Sequence, residues 1–423
     1  MLEIQRIRLE KETIINQLKN VRNIDVSKTI NDIFQLDEKK RTTQQKLDSC
    51  SANMNSISAN IGKQFKEGNI DKANQLKQET GQIKEDIKKL KVDFVNLEND
   101  LMQLLYEIPN VPHQNVPSGS TENDNEILFQ EDISLNDYRS FLPHWELCKK
   151  YDLIDFELGV KITGAGFPVY KGKGATLQRA LIQFFLNEAN SNGYQELMVP
   201  HMVNEASGYG TGQLPDKEGQ MYHVGNENLY LIPTAEVPIT NIYRNTILDY
   251  KELPVKHVGY TPCFRREAGS YGKEVRGLNR LHQFDKVEIV QVTDPNESYQ
   301  TLDKMVNYVE SLIKKLNLPF RKLRLCGGDL GFTSALTYDL EVYSVGQDKW
   351  LEVSSISNFE TFQANRLKLR FRAKDNKIKL AHTLNGSALA LPRIMASLLE
   401  INQTDKGINI PDVLVPYTGF KSI

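Results

Sequence analysis

What the sequence lacks already narrows its function. Its 423 residues include four cysteines that lie far apart and form no CxxC pair, namely Cys50, Cys148, Cys263 and Cys326. This excludes a disulfide framework and a zinc ribbon, so we expect buried thiols and no zinc. The seven histidines contain no HExxH pattern and no other paired metal spacing. Any metal is therefore expected to be Mg²⁺ held by oxygen atoms.

Long apolar runs and an excess of one charge are also missing. No uncharged apolar run approaches the roughly 18 residues that span a bilayer, and the amino-terminal MLEIQRIRLEKE has no apolar signal region. We therefore expect a cytoplasmic protein with no membrane partner. Lys and Arg total 52 against 54 Asp and Glu, a net charge of −2, so any contact with nucleic acid must be local.

Two common phosphate-binding motifs are absent as well. GFPVYKGK, residues 166–173, is one residue too long for a P-loop and continues with Gly174 instead of Ser or Thr. No GxGxxG follows a strand pattern. Neither a P-loop nor a dinucleotide-binding fold explains this chain.

Two heptad patterns are present near the amino terminus. Seam positions recur in steps of three and four from Ile33 to Ile61 and again from Leu76 to Ile108, and Gly68 and Asn69 favour a turn between them. They predict an antiparallel hairpin of two helices of about 30 residues, about 45 Å long. Residues 38–106 hold twelve Lys or Arg and ten Asp or Glu, so this arm fits a spacer or a dimerisation coiled coil as well as an RNA-binding element.

The segment IPNVPHQNVPSGSTENDNE, residues 108–126, is rich in Pro, Asn, Ser and Gly and predicts a linker. It divides the chain into a helical domain at 1–107, the linker at 108–126 and a second domain at 127–423. In the second domain, consecutive strand patterns are too close together for βαβ crossovers. We therefore predict an antiparallel α+β fold.

Local patterns place several elements of the second domain. They predict a helix at 175–190, a strand at 197–199, an irregular loop at 208–220, strands at 255–267 and 279–292, and a helix at about 296–316. The two longest strands, joined by the polar residues 268–278, form a hairpin.

Side chains alternate across a strand, so parity sorts the hairpin residues onto two faces. Arg265 and Glu267 share a face, and the return strand has Arg280, His282, Phe284, Lys286 and Glu288 on one parity and Leu281, Val287 and Ile289 on the other. The first set suits phosphate, an aromatic base and an ammonium group, while the second suits a core. A surface ion pair of Arg265 with Glu267, and a core role for Phe284, are the alternatives.

Several longer segments resemble one family. TPCFRREAGSYGKEVRGLNRLHQFDKVE, residues 261–288, resembles motif 2 of class II aminoacyl-tRNA synthetases in its seryl form. GSALALPRIMASLLE, residues 386–400, resembles motif 3, and the 175–190 helix with the strand ending at Pro200 resembles motif 1. LIPTAEVP, residues 231–238, is similar to the seryl-specific TxE segment, and LEVSSISNFETFQANR, residues 351–366, to the segment that contacts metal and nucleotide. The predicted arm is similar to the family's tRNA-binding arm.

This resemblance implies a class II catalytic domain with an antiparallel sheet, preceded by a coiled-coil arm. It implies that serine and ATP form seryl-adenylate and that the seryl group passes to tRNA(Ser), with the selenocysteine tRNA as an open second acceptor. It also implies a homodimer through motif 1. Phe184 and Phe185 are adjacent on the predicted helix and point in different directions, which suggests that a second surface is needed to bury both rings. The alternatives are a serine-activating ligase for a non-tRNA acceptor and a non-catalytic coiled-coil adaptor.

The resemblance also implies roles for individual residues. Arg265, Glu352 and Arg393 match catalytic positions, and Glu352 with Ser355 match the Mg²⁺ ligands. Positions implied for serine are Thr234, Ala235, Glu236, Glu288, Asn385 and Ser387. Positions implied for ATP are Arg265, Arg266, Glu267, Arg276, Arg280, Phe284, Glu352, Val353, Ser354, Ser355 and Arg393. Two departures from the family pattern are Ile356, where cysteine is common, and Asn365, where arginine is frequent.

Overall fold

The computed structural model of the chain describes residues 1–133, 141–267 and 276–423. The chain forms two compact units, one made of Leu2–Lys19 and Ile24–Pro109 and the other of Met1, Asn20–Asn23 and Asn110–Ile423. The three-part division into 1–107, 108–126 and 127–423 stays a prediction. Part of its linker is packed, because the Asn110 side-chain amide donates to a backbone oxygen of Phe359 at 2.9 Å.

The smaller unit consists of the helices α1 (Ile4–Arg22), α2 (Ser27–Lys66) and α3 (Ile70–Glu107). The predicted hairpin and its turn are confirmed, and the seam residues of α2 and α3 are half-buried or buried along both helices. The helices have 40 and 38 residues instead of about 30. At 1.5 Å per residue they are therefore roughly 60 Å long and not 45 Å.

The larger unit is built on β-strands, most of which pair antiparallel. They are β1 (Glu126–Gln130), β2 (Ile154–Asp155), β3 (Val169–Tyr170), β4 (Gln195–Glu196), β5 (Met202–Asn204), β6 (His223–Val224), β7 (Leu229–Leu231), β8 (Ile247–Asp249), β9 (Val255–Phe264), β10 (Gln283–Thr293), β11 (Phe320–Arg324), β12 (Leu336–Ser344), β13 (Lys349–Asn358), β14 (Arg370–Arg372), β15 (Ile378–Leu380), β16 (His382–Ala390), β17 (Gln403–Thr404) and β18 (Gly407–Ile408).

The main sheet, within the described residues, has eight strands in the order β1-β11-β12-β13-β16-β10-β9-β4. Each neighbouring pair in it is antiparallel except β4 with β9. Strands that follow one another in the chain, such as β9 and β10, are neighbours in the sheet, as expected for hairpins. The predicted antiparallel α+β class is confirmed.

Helices of the larger unit cover this sheet. They are α4 (His144–Lys150), α5 (Phe156–Ile162), α6 (Gly172–Ser191), α7 (Glu205–Thr211), α8 (Glu236–Asn241), α9 (Ser298–Lys315), α10 (Thr361–Leu367), α11 (Leu391–Ile401) and α12 (Val415–Thr418). Buried side chains of α6, α9 and α11 form one core with those of the sheet. Among the described residues, no helix has the length and apolar character needed to cross a bilayer.

Four local predictions need correction. The strand predicted at 197–199 is β4 at 195–196, and the loop predicted to start at Gly208 starts only after the helix α7. The hairpin strands end at Phe264 and begin at Gln283, and residues 268–275 of their connection lie outside the described part of the chain. Cys50 is half-exposed, whereas the other three cysteines are buried.

Phe184 and Phe185 also differ from expectation. Both are buried within the single chain, at 3% and 0% exposure, so they leave no apolar surface for a second subunit. The ring of Phe184 lies 6.1 Å from that of Tyr417, edge to face. The helix that carries them therefore gives no support for a dimer through these two side chains.

Candidate active site

Strand register brings many of the sequence-predicted residues to one face of the main sheet. Opposed residues in antiparallel strands point to the same face. Glu288 of β10 is opposite Ser387 of β16, and Asn385 is opposite Ser357 of β13. The other parity of β10, which includes Val287, is buried in the core. Val287 and Ile289 thus lie in the core as predicted, whereas Phe284, which has the parity of Glu288, is half-buried and packs against the same core.

A β-bulge adds the next two predicted residues to the same face. Leu340 is opposite Ser354, but the following residue, Glu341, is opposite Glu352. Val353 is therefore an extra residue in β13. In a regular strand of the same residues, Glu352 and Ser355 would point to opposite faces, because they are three positions apart. The bulge places both side chains on the face that also carries Glu341.

A buried ion pair forms the deepest part of the site. Lys286 Nζ lies 2.7 Å from Glu288 Oε2, and their side chains are 7% and 2% exposed. The Ser387 hydroxyl donates to the same Glu288 oxygen at 3.3 Å. A buried charged side chain is costly unless it is paired, so each partner of this pair offsets the cost of burying the other.

A second carboxylate, Glu236, is held at the start of α8. The Gln363 side-chain amide donates to Glu236 Oε1 at 2.6 Å and to the Thr211 carbonyl at 3.2 Å. The Thr383 hydroxyl in turn donates to Gln363 Oε1 at 2.7 Å. The orientation of the Gln363 amide is thus fixed at both ends. The Thr234 hydroxyl accepts from the Glu236 backbone N–H at 3.2 Å.

The environment of Glu236 favours its neutral form. Burial is the main cause, and the negative charge of Glu288 adds to it, so the pKa of Glu236 is raised to about 7. The hydrogen bond from Gln363 and the charges of Lys286 and Arg265 act in the opposite direction. A bound cation would favour the ionised form, so this pocket suits an ammonium group.

Arg265 and Phe284 lie together at the open end of the hairpin. The Arg265 guanidinium lies over the Phe284 ring, 5.2 Å from its centroid, and Arg265 Nε donates to the Pro233 carbonyl at 3.4 Å. Glu267 accepts from Arg280 Nη1 at 3.2 Å. These residues, except Phe284, lie outside the strands, so backbone alternation does not determine their faces. The contacts, and not parity, bring them together.

The other arginines approach this region from the returning connection and from α11. Arg276 lies over the ring of Trp145 at 4.5 Å. Arg393 Nε donates to the Asn279 carbonyl at 3.0 Å, and its Nη1 donates to the Glu352 carbonyl at 2.7 Å. The Arg393 Nη1 atom is also 3.6 Å from the Glu352 carboxylate.

Carboxylate oxygen atoms lie near Ser355. Asp339 of β12 is opposite Ser355, and its Oδ1 atom is buried with no hydrogen-bond partner in the described parts of the chain. Burial, followed by the charge of Glu352, raises the pKa of Asp339, and a hydrogen bond with Ser355 partly opposes that rise. Residues 1–133, 141–267 and 276–423 contain no group of three or more His, Cys, Asp or Glu arranged to hold a metal ion.

Some sequence-predicted residues do not direct their side chains into the site. Ala235 and Val353 are buried in apolar clusters, and the Ser354 hydroxyl donates to the Ser387 carbonyl at 2.5 Å. Arg266 is exposed, and its backbone N–H donates to Gln220. A role for Ala235 or Val353 in binding would therefore involve the backbone.

The two departures from the family pattern have structural explanations. Ile356 is fully buried in the core, on the face of β13 opposite to Ser355. Asn365 donates to the Met1 carbonyl at 3.0 Å. Neither side chain is among those that the register brings to the chemical face.

Sequence reasoning missed four residues that shape the site, namely Lys286, Gln363, Trp145 and Asp339. Lys286 had the correct parity but was not assigned a role. Gln363 lies within the segment 351–366, whose resemblance was used for other residues. Nothing in the local sequence of Trp145 signals that it contacts Arg276, because the two are far apart in the chain. Nothing in the local sequence of Asp339 fixes the register that sets it opposite Ser355.

Comparison with known families agrees with the fold. The seryl-tRNA synthetase N-terminal domain matches residues 1–112, and the class II core domain of tRNA synthetases for G, H, P, S and T matches residues 222–402. The chain is 46% identical to the serine–tRNA ligase of Salinibacter ruber, with 100% of this chain and 99% of that one covered. It is 45% identical to that of Akkermansia muciniphila, with 99% and 98% covered.

Solved structures give the same result. The seryl-tRNA synthetase of Pyrococcus horikoshii complexed with ATP has a TM-score of 0.91 at 34% identity, and 100% of this chain and 99% of that chain are covered. The cytoplasmic serine–tRNA ligase of Naegleria fowleri in complex with AMP has a TM-score of 0.87 at 27% identity, with 100% and 98% covered. From the sheet register, the helical arm and these full-length similarities, we conclude that the chain belongs to the seryl-tRNA synthetase family of class II aminoacyl-tRNA synthetases.

Proposed function

We propose that this protein is a serine–tRNA ligase, which activates L-serine with ATP and transfers the seryl group to tRNA(Ser). The observation that carries the proposal is the single sheet face on which Glu288, Ser387 and Glu352 lie, in a chain that matches this family over its whole length. A serine carboxylate oxygen attacks the α-phosphorus of ATP, the bond to the bridging oxygen breaks, and pyrophosphate leaves. A terminal ribose hydroxyl of tRNA then attacks the seryl carbonyl carbon, and AMP leaves.

ATP binding is assigned to the open end of the hairpin and to α11. Arg265 binds the α-phosphate, Phe284 stacks on the adenine with Arg393 opposite, and Glu267 contacts the base. Arg276 and Arg280 bind the outer phosphates. The contacts that support these roles are the arginine over the Phe284 ring and the two hydrogen bonds that fix Arg393. No protein nucleophile is required, because the serine carboxylate is already anionic and catalysis depends on alignment and charge neutralisation.

Serine binding is assigned to the two buried carboxylates. Glu236 and Glu288 bind the ammonium group together with Thr234, while Asn385 and Ser387 lie near the hydroxyl. Supporting features are the burial of Glu236 and Glu288, at 6% and 1% exposure, and the raised pKa of Glu236. Such a pocket gains free energy when a cation enters, because the ligand replaces a desolvation cost with an ion pair.

A divalent ion accompanies ATP in synthetases of this class, and we propose Mg²⁺. Glu352 and Ser355 would hold it, and they fit a hard cation because both present oxygen atoms on the same face and because the buried Asp339 Oδ1 beside Ser355 lacks a partner in the described residues. When bound, Mg²⁺ supplies positive charge near the α-phosphate. We do not assign a role to zinc.

The arm is proposed to bind tRNA. Residues 1–107 form the tRNA-binding domain, 108–126 the linker and 127–423 the catalytic domain. Support comes from the roughly 60 Å length of α2 and α3 and from the match of residues 1–112 to the seryl-tRNA synthetase N-terminal domain. Because the proposed small-substrate contacts lie beyond residue 230, amino-acid activation does not require the arm. The proposal locates the enzyme in the cytoplasm, with protein synthesis.

We also propose a homodimer. Phe184 and Phe185 are buried within the chain, so they no longer argue for a second subunit. Exposed apolar side chains on either side of Pro200 support the proposal instead, because Met198 is 97% exposed and Met202 is 49% exposed. Analytical sedimentation at micromolar concentration should show two chains per particle. A fully active monomer under the same conditions would contradict the dimer and would leave the catalytic assignment intact.

The function is tested by exchange between ATP and pyrophosphate with each proteinogenic amino acid in turn, followed by aminoacylation of total tRNA. Serine should support exchange at least about a hundredfold better than any other amino acid, since Glu236 and Glu288 read the ammonium while a small buried hydroxyl site excludes larger side chains. Exchange with serine but no charging of tRNA would favour a ligase for another acceptor. No exchange with any amino acid would favour a coiled-coil adaptor.

A further inference from the structure

The segment 276–280, which returns from the hairpin connection, is held by neighbours along its length. Arg276 lies over Trp145 at 4.5 Å. The Asn279 side-chain amide donates to Gln347 Oε1 at 2.7 Å. The backbone carbonyl of Asn279 accepts a hydrogen bond from Arg393 Nε. Between these contacts, the backbone N–H of Leu278 donates to His144 Nε2 at 2.9 Å. The proposed function uses Arg276, Arg280 and Arg393 but assigns nothing to the residues that hold them.

His144 has one defined protonation state in this arrangement. A backbone amide can only donate, so Nε2 accepts from Leu278 and carries no proton. The other nitrogen, Nδ1, lies 2.8 Å from Glu400 Oε1 and therefore donates its proton to that carboxylate. Both residues are 0% exposed. A neutral imidazole thus connects the backbone of the segment 276–280 with α11.

Glu400 is fully satisfied as a carboxylate. Besides the His144 ring, it accepts from the His144 backbone N–H at 2.9 Å, from the Ser344 hydroxyl at 2.5 Å and from the Gly346 backbone N–H at 3.1 Å. A buried group with four donors is held in one position, since losing any of them leaves a polar atom unpaired. Glu400 lies near the end of α11, the helix whose first turn carries Arg393.

The connections close into a circuit. The Gln347 side-chain amide donates to the Ser344 hydroxyl at 2.8 Å and also contacts Asn279. Starting from His144, the hydrogen bonds therefore run through Glu400, Ser344, Gln347 and Asn279, and the chain returns to His144 through Leu278. A closed network of hydrogen bonds has fewer alternative arrangements than an open one, so it defines where the segment lies.

The backbone at Gly277 fits against this histidine. A Cβ atom at Gly277 would lie 2.2 Å from His144 Nε2, and φ is +68°, a conformation that side chains rarely adopt. The segment therefore approaches the imidazole as closely as a residue without a side chain permits. Both the hydrogen bond and the contact surface depend on His144.

We propose that His144 and Glu400 are positioning residues for ATP: they fix the segment 276–280 and through it the guanidinium groups of Arg276, Arg280 and Arg393. This inference rests on the proposed function, because it takes from it the ATP contacts of the three arginines. Neither residue touches substrate. Misplacement of phosphate ligands by about 1 Å costs on the order of a hundredfold in rate, so a structural support of this kind has a measurable kinetic effect.

The test compares His144→Leu with His144→Gln and with the control His257→Leu. His257 is also a buried histidine with one ring hydrogen bond, to Tyr243 at 2.5 Å, but lies on β9 outside the site. In serine-dependent exchange, His144→Leu should raise KM for ATP about tenfold or more and leave KM for serine within about twofold. His144→Gln offers one donor and one acceptor and should stay within about threefold of the parent. His257→Leu should lose thermal stability without a change in KM for ATP.

A second readout needs no substrate. Hydrogen–deuterium exchange in a peptide that contains Leu278 should be slow in the parent chain and in His144→Gln, and at least about tenfold faster in His144→Leu. If the parent shows no serine-dependent exchange reaction, the proposed function fails, while this measurement still decides whether His144 holds the segment. The inference would be overturned if Leu278 were as well protected in His144→Leu as in the parent chain. It would also be overturned if His257→Leu raised KM for ATP as much as His144→Leu does.

A further variant covers the case in which His144→Leu does not fold. Gly277→Ala removes no buried polar group, but its methyl group would overlap the His144 ring and its φ is unfavourable. It should give the same selective rise in KM for ATP and the same loss of protection at Leu278. Parent-like values in folded Gly277→Ala would count against the positioning role.

Discussion

Two lysine–glutamate pairs of almost equal length lie in very different regions of this chain. In the arm, Lys40 Nζ is 2.6 Å from Glu98 Oε1, and the side chains are 24% and 50% exposed. In the main sheet, Lys286 Nζ is 2.7 Å from Glu288 Oε2, and they are 7% and 2% exposed. Water screens the first pair, so it contributes about 0 to 1 kcal/mol. Breaking the second by removing one partner costs about 3 to 5 kcal/mol.

The difference shows that distance alone does not identify a functional ion pair. The arm is made of sequence-local helices in which each pair contributes little, and its surface charges can change with small effects on folding. In the sheet, the carboxylate is enclosed by distant strands and paired with a buried lysine. Five experiments break or sharpen this comparison, in order of decreasing expected effect.

The largest effect is expected for Glu288→Ala. The change leaves Lys286 buried without its partner and removes the carboxylate proposed to bind the serine ammonium, so kcat/KM for serine in the exchange reaction should fall by about a thousandfold. The control is Glu310→Ala. Glu310 lies on α9 and carries a partly buried carboxylate that pairs with Lys322 of β11 at 2.8 Å. That control should lose stability but keep its activation kinetics. Near-normal activation by Glu288→Ala would reject the serine-site assignment.

Removal of the arm should separate the two regions. Replacing Lys39 through Leu104 by a short Gly-Ser linker should leave serine-dependent exchange within a few fold, whereas aminoacylation of tRNA should fall about a hundredfold or more because phosphate contacts are lost. The dependence of tRNA binding on salt should also weaken. Unchanged aminoacylation would refute the RNA role. Loss of both activities together with dissociation of a dimer would identify the arm as a structural element.

The pH dependence of serine activation tests Glu236. Its pKa, raised to about 7 by burial and by Glu288, implies that the carboxyl is protonated at lower pH and cannot pair with an ammonium. The kcat/KM for serine should therefore rise by up to about tenfold per pH unit below pH 7 and level off above it. Glu236→Gln should be slower and lack this inflection. An inflection near pH 7 that persists in Glu236→Gln would assign it to another group.

The same pKa has a consequence for stability, with a defined sign. The folded-state pKa of about 7 lies above the ordinary 4.5, so the folded chain binds this proton more tightly than the unfolded chain. The contribution of Glu236 to the free energy of unfolding should therefore decrease as the pH rises from about 4.5 to about 7. Urea unfolding of the parent should show this decrease between about pH 4.5 and about pH 7, and Glu236→Gln should lack this contribution to it.

The smallest effect is expected for Lys40→Leu in the arm. The substitution removes the exposed pair with Glu98 and places an apolar side chain at a seam position beside Phe94, which Lys40 already contacts at 5.1 Å. The free energy of unfolding should change by less than about 1 kcal/mol, with a gain in packing offsetting the lost ion pair. A loss above about 2 kcal/mol would show that the two pairs are energetically alike.

Sequence patterns predicted features that depend on neighbours along the chain. The seams of α2 and α3, the turn at Gly68 and the long hairpin of β9 and β10 all arise from local periodicity and turn chemistry. The strand at 197–199 was misplaced because a two-residue strand such as β4 has no period to detect. Phe184 and Phe185 were misjudged because the chain itself covers both of them, partly through Tyr417, which lies more than 200 residues away.

The site was predictable in residue identity but not in arrangement. Resemblance named Glu236, Glu288 and Arg393, yet the sequence could not show that Ser387 donates to Glu288 or that Gln363 holds Glu236. The first contact depends on the register of β10 with β16 and the second on the packing of α10, and both join distant segments. Register is fixed by the whole sheet, so a local pattern does not contain it.

The bulge at Val353 has an evolutionary consequence. A chain that lacked this residue would have an uninterrupted ladder between β12 and β13, and Glu352 and Ser355, then two positions apart, would still share a face. Loss of this one residue is thus compatible with regular pairing and with the arrangement of the two side chains. Screens for thermostable variants that allow single-residue deletions should therefore recover deletions of Val353 that are well folded and retain serine-dependent exchange.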